Sequence, residues 1–400
     1  MTARTRLWVL VVSTPVIAFT LIGGYLGQAM TRDETIRNLR IFEDVMQLVV
    51  ENYVEEVDVR KAMRGAMRGL TDGLDIDSTF LPPDQVKAFE SKETPAAGET
   101  GIDLARGYYL RVMSARDGSP AAKAGIRTGD YLRAIEGRST RDMSAYEGNR
   151  LLRGAPGSKV TLLVIRGNAA EPHEVVVTRE RAAGADVTSK MANATTGYVR
   201  VVEFTPNSAT RIKQAIDALA KTGATRYVID LRGTSRGDLD DGVAAARLFV
   251  RNGTITVKVT RDPLARADAK EKTKKETISA QSSDGAVTAT VVLLVDSGTS
   301  GAAELFAAAL DGNKRAELVG SRTIGRAARQ QLVKLSDGSG LLLTTVRYLT
   351  PESAALHEKG LMPDVLVDEP DVDFGADPPA TDEALQKAID RLTQPQKQAA

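Results

Sequence analysis

Five consecutive aliphatic residues, Val291-Val292-Leu293-Leu294-Val295, run directly into the small-residue turn Asp296-Ser297-Gly298-Thr299-Ser300-Gly301 and then into Ala302-Ala303-Glu304-Leu305-Phe306. A short, unbroken apolar run predicts a strand buried on both faces, the habit of parallel strands covered by helices. The stretch after the turn predicts a helix. Such a strand-to-helix turn aims the N–H groups of the first helical turn at whatever lies beyond the sheet edge, where developing negative charge is stabilised. The chain is therefore expected to build an α/β layer with a candidate active site over 296–304.

The flanking sequence continues the alternation. Strands are expected at 197–204, 227–232, 254–259 and 315–320, with helices at 209–221 (Ile212, Ile216 and Leu219 on one face) and 242–249. The runs 330–335 and 341–348 read as paired strands across a Gly/Ser/Asp turn, and the Lys-rich stretch 261–283 reads as an exposed excursion. After an acidic, Pro-containing tail, Thr381 is the expected N-cap of a last amphipathic helix carrying Leu385, Ala388, Ile389 and Leu392. At the other end, 31–90 carries helical spacing, first Ile36, Leu39, Phe42, Val45, Val49 and Tyr53, then Ala62, Met63, Ala66, Met67 and Leu70. A third short helix is expected to start within Leu81-Pro82-Pro83-Asp84. Between 98 and 181 the pattern changes to short strands, at 108–113, 131–135, 160–166 and 174–179, separated by turn residues.

Composition removes several chemistries. The 400 residues include no cysteine, so disulfides, thiolate catalysis and cysteine metal sites are excluded, and only His173 and His357 are available to a histidine-based triad or metal site. No metal or cofactor is expected. A net charge of +1 gives no reason to expect nucleic acid as a partner. Arg4 and Arg6 precede an uncharged stretch over 7–30, long enough to span a bilayer, which needs about 20 apolar residues. An uncleaved membrane anchor is the preferred reading. A cleavable signal peptide ending near Gly27-Gln28-Ala29 is the alternative. Both put the body of the protein on the extracytoplasmic, periplasmic side of the cell envelope.

The run Gly118-Ser119-Pro120-Ala121-Ala122-Lys123-Ala124-Gly125-Ile126-Arg127-Thr128-Gly129-Asp130 carries every fixed position of G-S-P-A-x-x-A-G-[IL]-x-x-G-D. The segment 98–181 resembles a PDZ domain. That resemblance implies recognition of protein or peptide C-termini beside a sheet edge, with backbone N–H groups of the loop Gly98-Glu99-Thr100-Gly101-Ile102 taking the carboxylate. Glu99 is expected to lie close to such a carboxylate and repel it.

Three further elements extend the likeness to nearly the whole chain. Leu74-Asp75-Ile76-Asp77-Ser78 resembles L-D-P-H-S, Leu152-Arg153-Gly154-Ala155-Pro156-Gly157 resembles L-R-G-x-P-G, and Gly360-Leu361-Met362-Pro363-Asp364 resembles G-I-x-P-D. Together they resemble the carboxyl-terminal processing peptidases, the S41 family of serine peptidases. The resemblance implies a helical N-terminal region at 31–90, a PDZ domain at 98–181, a crotonase-like α/β peptidase core at 190–370 and a C-terminal helix and tail at 371–400, after the segment 1–30.

The same resemblance locates the catalytic positions. The family turn S-A-S-A-[SA]-E, registered on Glu304, puts Gly301 at the nucleophile. The lysine base falls on Arg326, and Gln330 takes the place of the glutamine that orients it. The oxyanion region, by likeness to L-R-x-N-x-G-G, includes Arg236 and Gly237, with Ala302 after the nucleophile position. Glycine has no oxygen to attack a carbonyl, and arginine stays protonated far above neutral pH. The expected function is thus a pseudo-peptidase that binds protein C-termini or a partner through its PDZ domain. Arg326 and Arg236 then turn the former oxyanion pocket into a carboxylate site. Two alternatives stand beside it. One is a serine-type endopeptidase with Ser300 as a relocated nucleophile and His357 or Lys359 as its base. The other is a membrane-tethered structural scaffold. Self-association through the N-terminal helices is left open.

Overall fold

The structure, a computed structural model, describes residues 36–91, 96–167, 171–182, 184–263, 265, 272–369, 372–376 and 379–393. The expected anchor or signal segment at 1–30 lies outside them. Among the described residues no helix is long and apolar enough to cross a membrane. The chain divides into two units, 1–69 with 260–274, and 70–259 with 275–400. The first holds helix α1 (36–52), which exposes Leu39, Phe42, Val45 and Val49, and most of α2 (Val59–Asp72).

The second unit carries everything that positions the site. It opens with strand β1 (Thr79–Leu81) and helix α3 (Pro83–Glu90), which Pro82 precedes as N-cap residue. Leu81 therefore ends a strand rather than starting a helix. It is fully buried, in register with Gly340 of a later strand.

The PDZ domain follows, with β2 (Gly98–Glu99), β3 (Ile102–Ala105), β4 (Leu110–Ala115), α4 (Pro120–Lys123), β5 (Tyr131–Ile135), β6 (Arg138–Ser139), α5 (Ala145–Leu151), β7 (Lys159–Ile165), β8 (His173–Thr178) and β9 (Glu180–Arg181). The sheet order is β3-β4-β5-β7-β8, so β3 is an edge strand. Alternation in β7, with Val160, Leu162 and Val164 fully buried and their neighbours part-exposed, marks a sheet covered on one face. Its core gathers Ile102, Leu104, Leu110, Val112, Leu132 and Ile135.

The α/β layer contains β10 (Val187–Met191), β11 (Thr196–Val201), α6 (Ser208–Lys221), β12 (Arg226–Asp230), α7 (Leu239–Ala246), β13 (Thr254–Arg261), β14 (Thr273–Ser279), β15 (Thr290–Val295), α8 (Ala302–Gly312), β16 (Ala316–Gly320), β17 (Ala328–Lys334), β18 (Gly340–Leu349), β19 (Val365–Leu366) and α9 (Glu383–Thr393). Its main sheet runs β10-β11-β12-β15-β16-β19, parallel except at β10. The apolar run of β15 lies in its interior. Val291, Leu293 and Val295 face one core with α6, α7 and α8, while Val292 and Leu294 face another with Ala388 and Leu392 of α9. Burying both faces explains why the run does not alternate, and each side chain contributes about 1.5–3 kcal/mol.

A second sheet has the order β1-β18-β13-β14, with β17 paired to β18. Here three expectations are refined or corrected. The described residues of 261–283 are largely exposed, as expected, but include β14, an outer strand whose lysines face solvent. The last helix is capped by Asp382, not Thr381: Asp382 Oδ1 accepts from Leu385 N at 3.0 Å. The helix expected at 242–249 begins at Leu239, capped by the Asp238 carboxylate accepting from Asp240 N.

Candidate active site

The turn after β15 is stitched to the loop after β12. Asp296 Oδ1 accepts from Gly233 N at 2.8 Å and Gly298 N at 3.0 Å, and Ser300 N donates to Thr234 O at 3.0 Å. Parallel pairing of β12 with β15 brings the two loops together, because it puts both strand ends at the same sheet edge. Burial pushes the Asp296 carboxyl up to about 6, against the opposing pull of the Gly233 hydrogen bond and with help from the nearby Glu369 charge.

Gly301 is the N-cap residue of α8, with φ +61° and ψ −118°. It offers no side chain. A Cβ built there would meet only Leu239 Cδ2, at 3.8 Å, so the space beside it is open. Its N–H donates to Glu304 Oε2 at 3.3 Å. Glu304 is fully buried and also accepts from Thr323 Oγ1 at 2.5 Å, Gly325 N at 2.7 Å and Arg326 N at 2.7 Å. Burial raises its carboxyl above the ordinary range, and those donors oppose the rise. One carboxylate thus binds the turn at 301 to the turn at 323–326. Gly325 is required in that second turn: at φ +87°, its Cβ would lie 2.6 Å from Gly360 N.

Arg326 reaches from this turn to the 74–78 element. Its Nε and Nη2 donate to Asp77 Oδ1 at 2.9 and 2.7 Å, and its Nη1 lies 3.7 Å from Asp103 Oδ2 in β3. Burial works against its charge, but Asp77 and Asp103 more than offset this and hold the guanidinium above its ordinary pKa. Asp77 is presented by a tight turn in which Asp75 Oδ1 accepts from the backbone of Asp77 and Ser78 at 2.9 and 2.6 Å. Those bonds depress the Asp75 pKa against the effect of its burial. Gln330 Nε2 donates to Thr344 Oγ1 at 3.1 Å, so this side chain is engaged by β18.

Ser300, Gly301, Arg236, Gly237, Arg326 and Gln330 all line one cavity of about 370 Å³, together with Glu99, Thr100 and Ile102 of the PDZ domain. The structure therefore joins the expected catalytic positions and part of the expected peptide loop in a single space. Ala302 is buried, its carbonyl facing Gly242. Gly98 pairs with Arg181 and Gly154, and Gly101 turns at φ +86° over Ser119. Ser300 Oγ is sealed and has no hydrogen-bond partner among the described residues, and the same holds for both ring nitrogens of His357.

Two charge expectations change. Glu99 does not stand as a bare repelling carboxylate: guanidinium nitrogens of Arg116, Arg236 and Arg153 lie 2.8, 3.2 and 3.8 Å from its oxygens. Nor do Arg326 and Arg236 form an empty carboxylate receptor, since Arg326 is held by Asp77 and Arg236 by Glu99 and by Ile102 O at 2.9 Å.

Residues 195–367 match the family model for Peptidase family S41, and residues 111–166 match that for the PDZ domain. The chain is 33% identical to the carboxyl-terminal-processing protease of Picosynechococcus sp., over 93% of its own length and 88% of that relative. The chain belongs to peptidase family S41. It is also 30% identical to the carboxy-terminal processing protease CtpA of Bacillus subtilis, covering 93% of this chain and 79% of the relative. A solved structure of photosystem II D1 C-terminal processing protease superposes with a TM-score of 0.65 at 28% identity, over 82% of this S41 chain and 92% of the other.

Within this S41 chain, sequence reasoning missed Asp77, Asp103 and Arg116. Asp77 left a signal, as the acidic fourth residue of an element likened to L-D-P-H-S. Asp103 and Arg116 left none, because both are ordinary polar residues at strand and loop positions.

Proposed function

We propose that this S41 chain is a pseudo-peptidase of the cell envelope, held there by its segment 1–30, that binds protein C-termini through its PDZ domain without cutting them. The observation that carries the reading is Arg326 at the base position, doubly bonded to Asp77 at 2.9 and 2.7 Å. A base must give up its proton to act, and this group's environment raises an already high pKa. Gly301 supplies no hydroxyl across the cavity. The neighbouring Ser300 Oγ is sealed, and no described residue stands within hydrogen-bond reach to take its proton.

A fluorophosphonate probe tests this directly. The full chain is expected to resist labelling under conditions that label an active serine peptidase. Labelling abolished by Ser300→Ala would overturn the reading in favour of a relocated nucleophile. Peptides offered as free acids and as C-terminal amides test the other half, with binding and no shortening expected for the free acids.

A further inference from the structure

β3 is the open edge of the PDZ sheet, and a peptide tail joining it as a further strand would use its outward backbone groups. In this structure side chains of the chain itself take those groups. Leu104 N donates to Asn149 Oδ1 at 3.2 Å, and Ile102 O accepts from Arg236 Nη2 at 2.9 Å. Arg236 comes from the core loop after β12, so the edge is held from outside the PDZ domain.

The same guanidinium lies beside Glu99, and its contacts there are long, 3.2 and 3.4 Å. Arg116 sits closer, at 2.8 Å, and Arg153 farther, at 3.8 Å. Three guanidinium groups on one carboxylate leave donors unspent, because a single arginine can take a carboxylate with two parallel bonds. The other charged lining residues, Arg326 with the two carboxylates of Asp77 and Asp103, add no positive charge to the cavity. The local excess is therefore positive and centred on Glu99, at the end of the β3 edge where an added strand would terminate.

We infer that Arg236 is the residue that receives the terminal carboxylate of a bound protein tail, exchanging Ile102 O and its loose hold on Glu99 for the ligand. This rests on the reading that protein tails are the ligand. Strand addition takes over Ile102 O and frees the Arg236 donor as the carboxylate arrives, so no buried partner is stranded. Arg236 thereby acts as both latch and specificity determinant, and it carries tail binding into the loop that packs on the 296–304 turn.

The test uses the full chain and a pool of decapeptides randomised at the last four positions, prepared as free acids and as C-terminal amides. The unaltered chain is expected to bind the acids at least tenfold more tightly. Arg236→Gln, at a side chain one quarter exposed, should bring the two forms within about twofold, with amide binding unchanged or tighter. Glu99→Gln should move the other way, tightening the acids severalfold by releasing the guanidinium groups. An acid preference that survives Arg236→Gln overturns this inference and leaves tail binding intact. Weaker acid binding in Glu99→Gln also overturns it. No binding of either form to the unaltered chain overturns both this inference and tail binding itself.

Discussion

Arg326 and Asp77 meet through two nitrogens on one carboxylate oxygen, at 2.9 and 2.7 Å, across 249 residues of sequence. The side chains are 20% and 7% exposed, so the pair is largely withdrawn from water. Removing one partner strands the other. Asp77→Ala and Arg326→Ala are each expected to destabilise the fold by about 3 kcal/mol. The pair Asp77→Leu with Arg326→Met should recover most of that loss. Urea denaturation of the four proteins measures it, and additive losses would mean that the two residues are not coupled.

Placing a serine at 301 and a lysine at 326 should give no labelling unless Asp77 also changes. A lysine introduced at 326 would find the Asp77 carboxylate beside it, and a neighbouring opposite charge holds an ammonium protonated. Gly301→Ser with Arg326→Lys is therefore expected to remain unlabelled by fluorophosphonate at neutral pH. Adding Asp77→Asn should produce labelling. The open space beside Gly301 admits the serine, at a backbone cost of about 1–3 kcal/mol. Labelling of the two-residue variant would show that Asp77 does not control the site.

Asp296 makes stability depend on pH. Burial raises its carboxyl to about 6, from about 3.9 in an unfolded chain. The folded protein then holds that proton more tightly than the unfolded chain does. Its contribution is whole below about pH 4 and is lost as pH rises through 6. Asp296→Asn keeps an acceptor for Gly233 and Gly298 without the charge. Relative to wild type, this variant is expected to gain about 2–3 kcal/mol between pH 4 and pH 7.5. Denaturation at the two pH values checks it, and a difference that does not change with pH would refute the assignment.

The last helix offers a local check. Asp382 caps α9 and also takes Arg232 Nη1 and Nη2 at 3.0 and 2.8 Å. Asp382→Ala should cost about 1–2 kcal/mol, whereas Thr381→Ala should stay within about 0.5 kcal/mol. Thermal melts of the two variants separate them, and equal losses would return the cap to Thr381.

The parts legible in the sequence are those written in neighbouring residues. The uninterrupted aliphatic run of β15 announced a strand covered on both faces, and the spacing from Gly301 to Arg326 led to two turns that share Glu304. The PDZ signature likewise lay in one continuous stretch. What escaped was pairing over distance. Arg236 and Glu99 are 137 residues apart, and no local pattern states that a loop of the core will reach a PDZ carboxylate. The cap of α9 was missed by one residue because Thr381 and Asp382 are both good capping residues, and only backbone geometry chooses between them.

Glu304 spends its acceptors on backbone N–H groups at Gly301, Gly325 and Arg326 and on the Thr323 hydroxyl, never on the side chains of positions 301 or 326. These bonds are thus indifferent to which side chains stand at 301 and 326. Any residue with an amide proton that tolerates the local backbone completes the same bonds at either place. Positions 301 and 326 behave like sockets, wired from behind, whose fittings can be exchanged while the wiring stays live. A substitution at 326 is therefore felt through Asp77, the partner of the side chain, and not through Glu304.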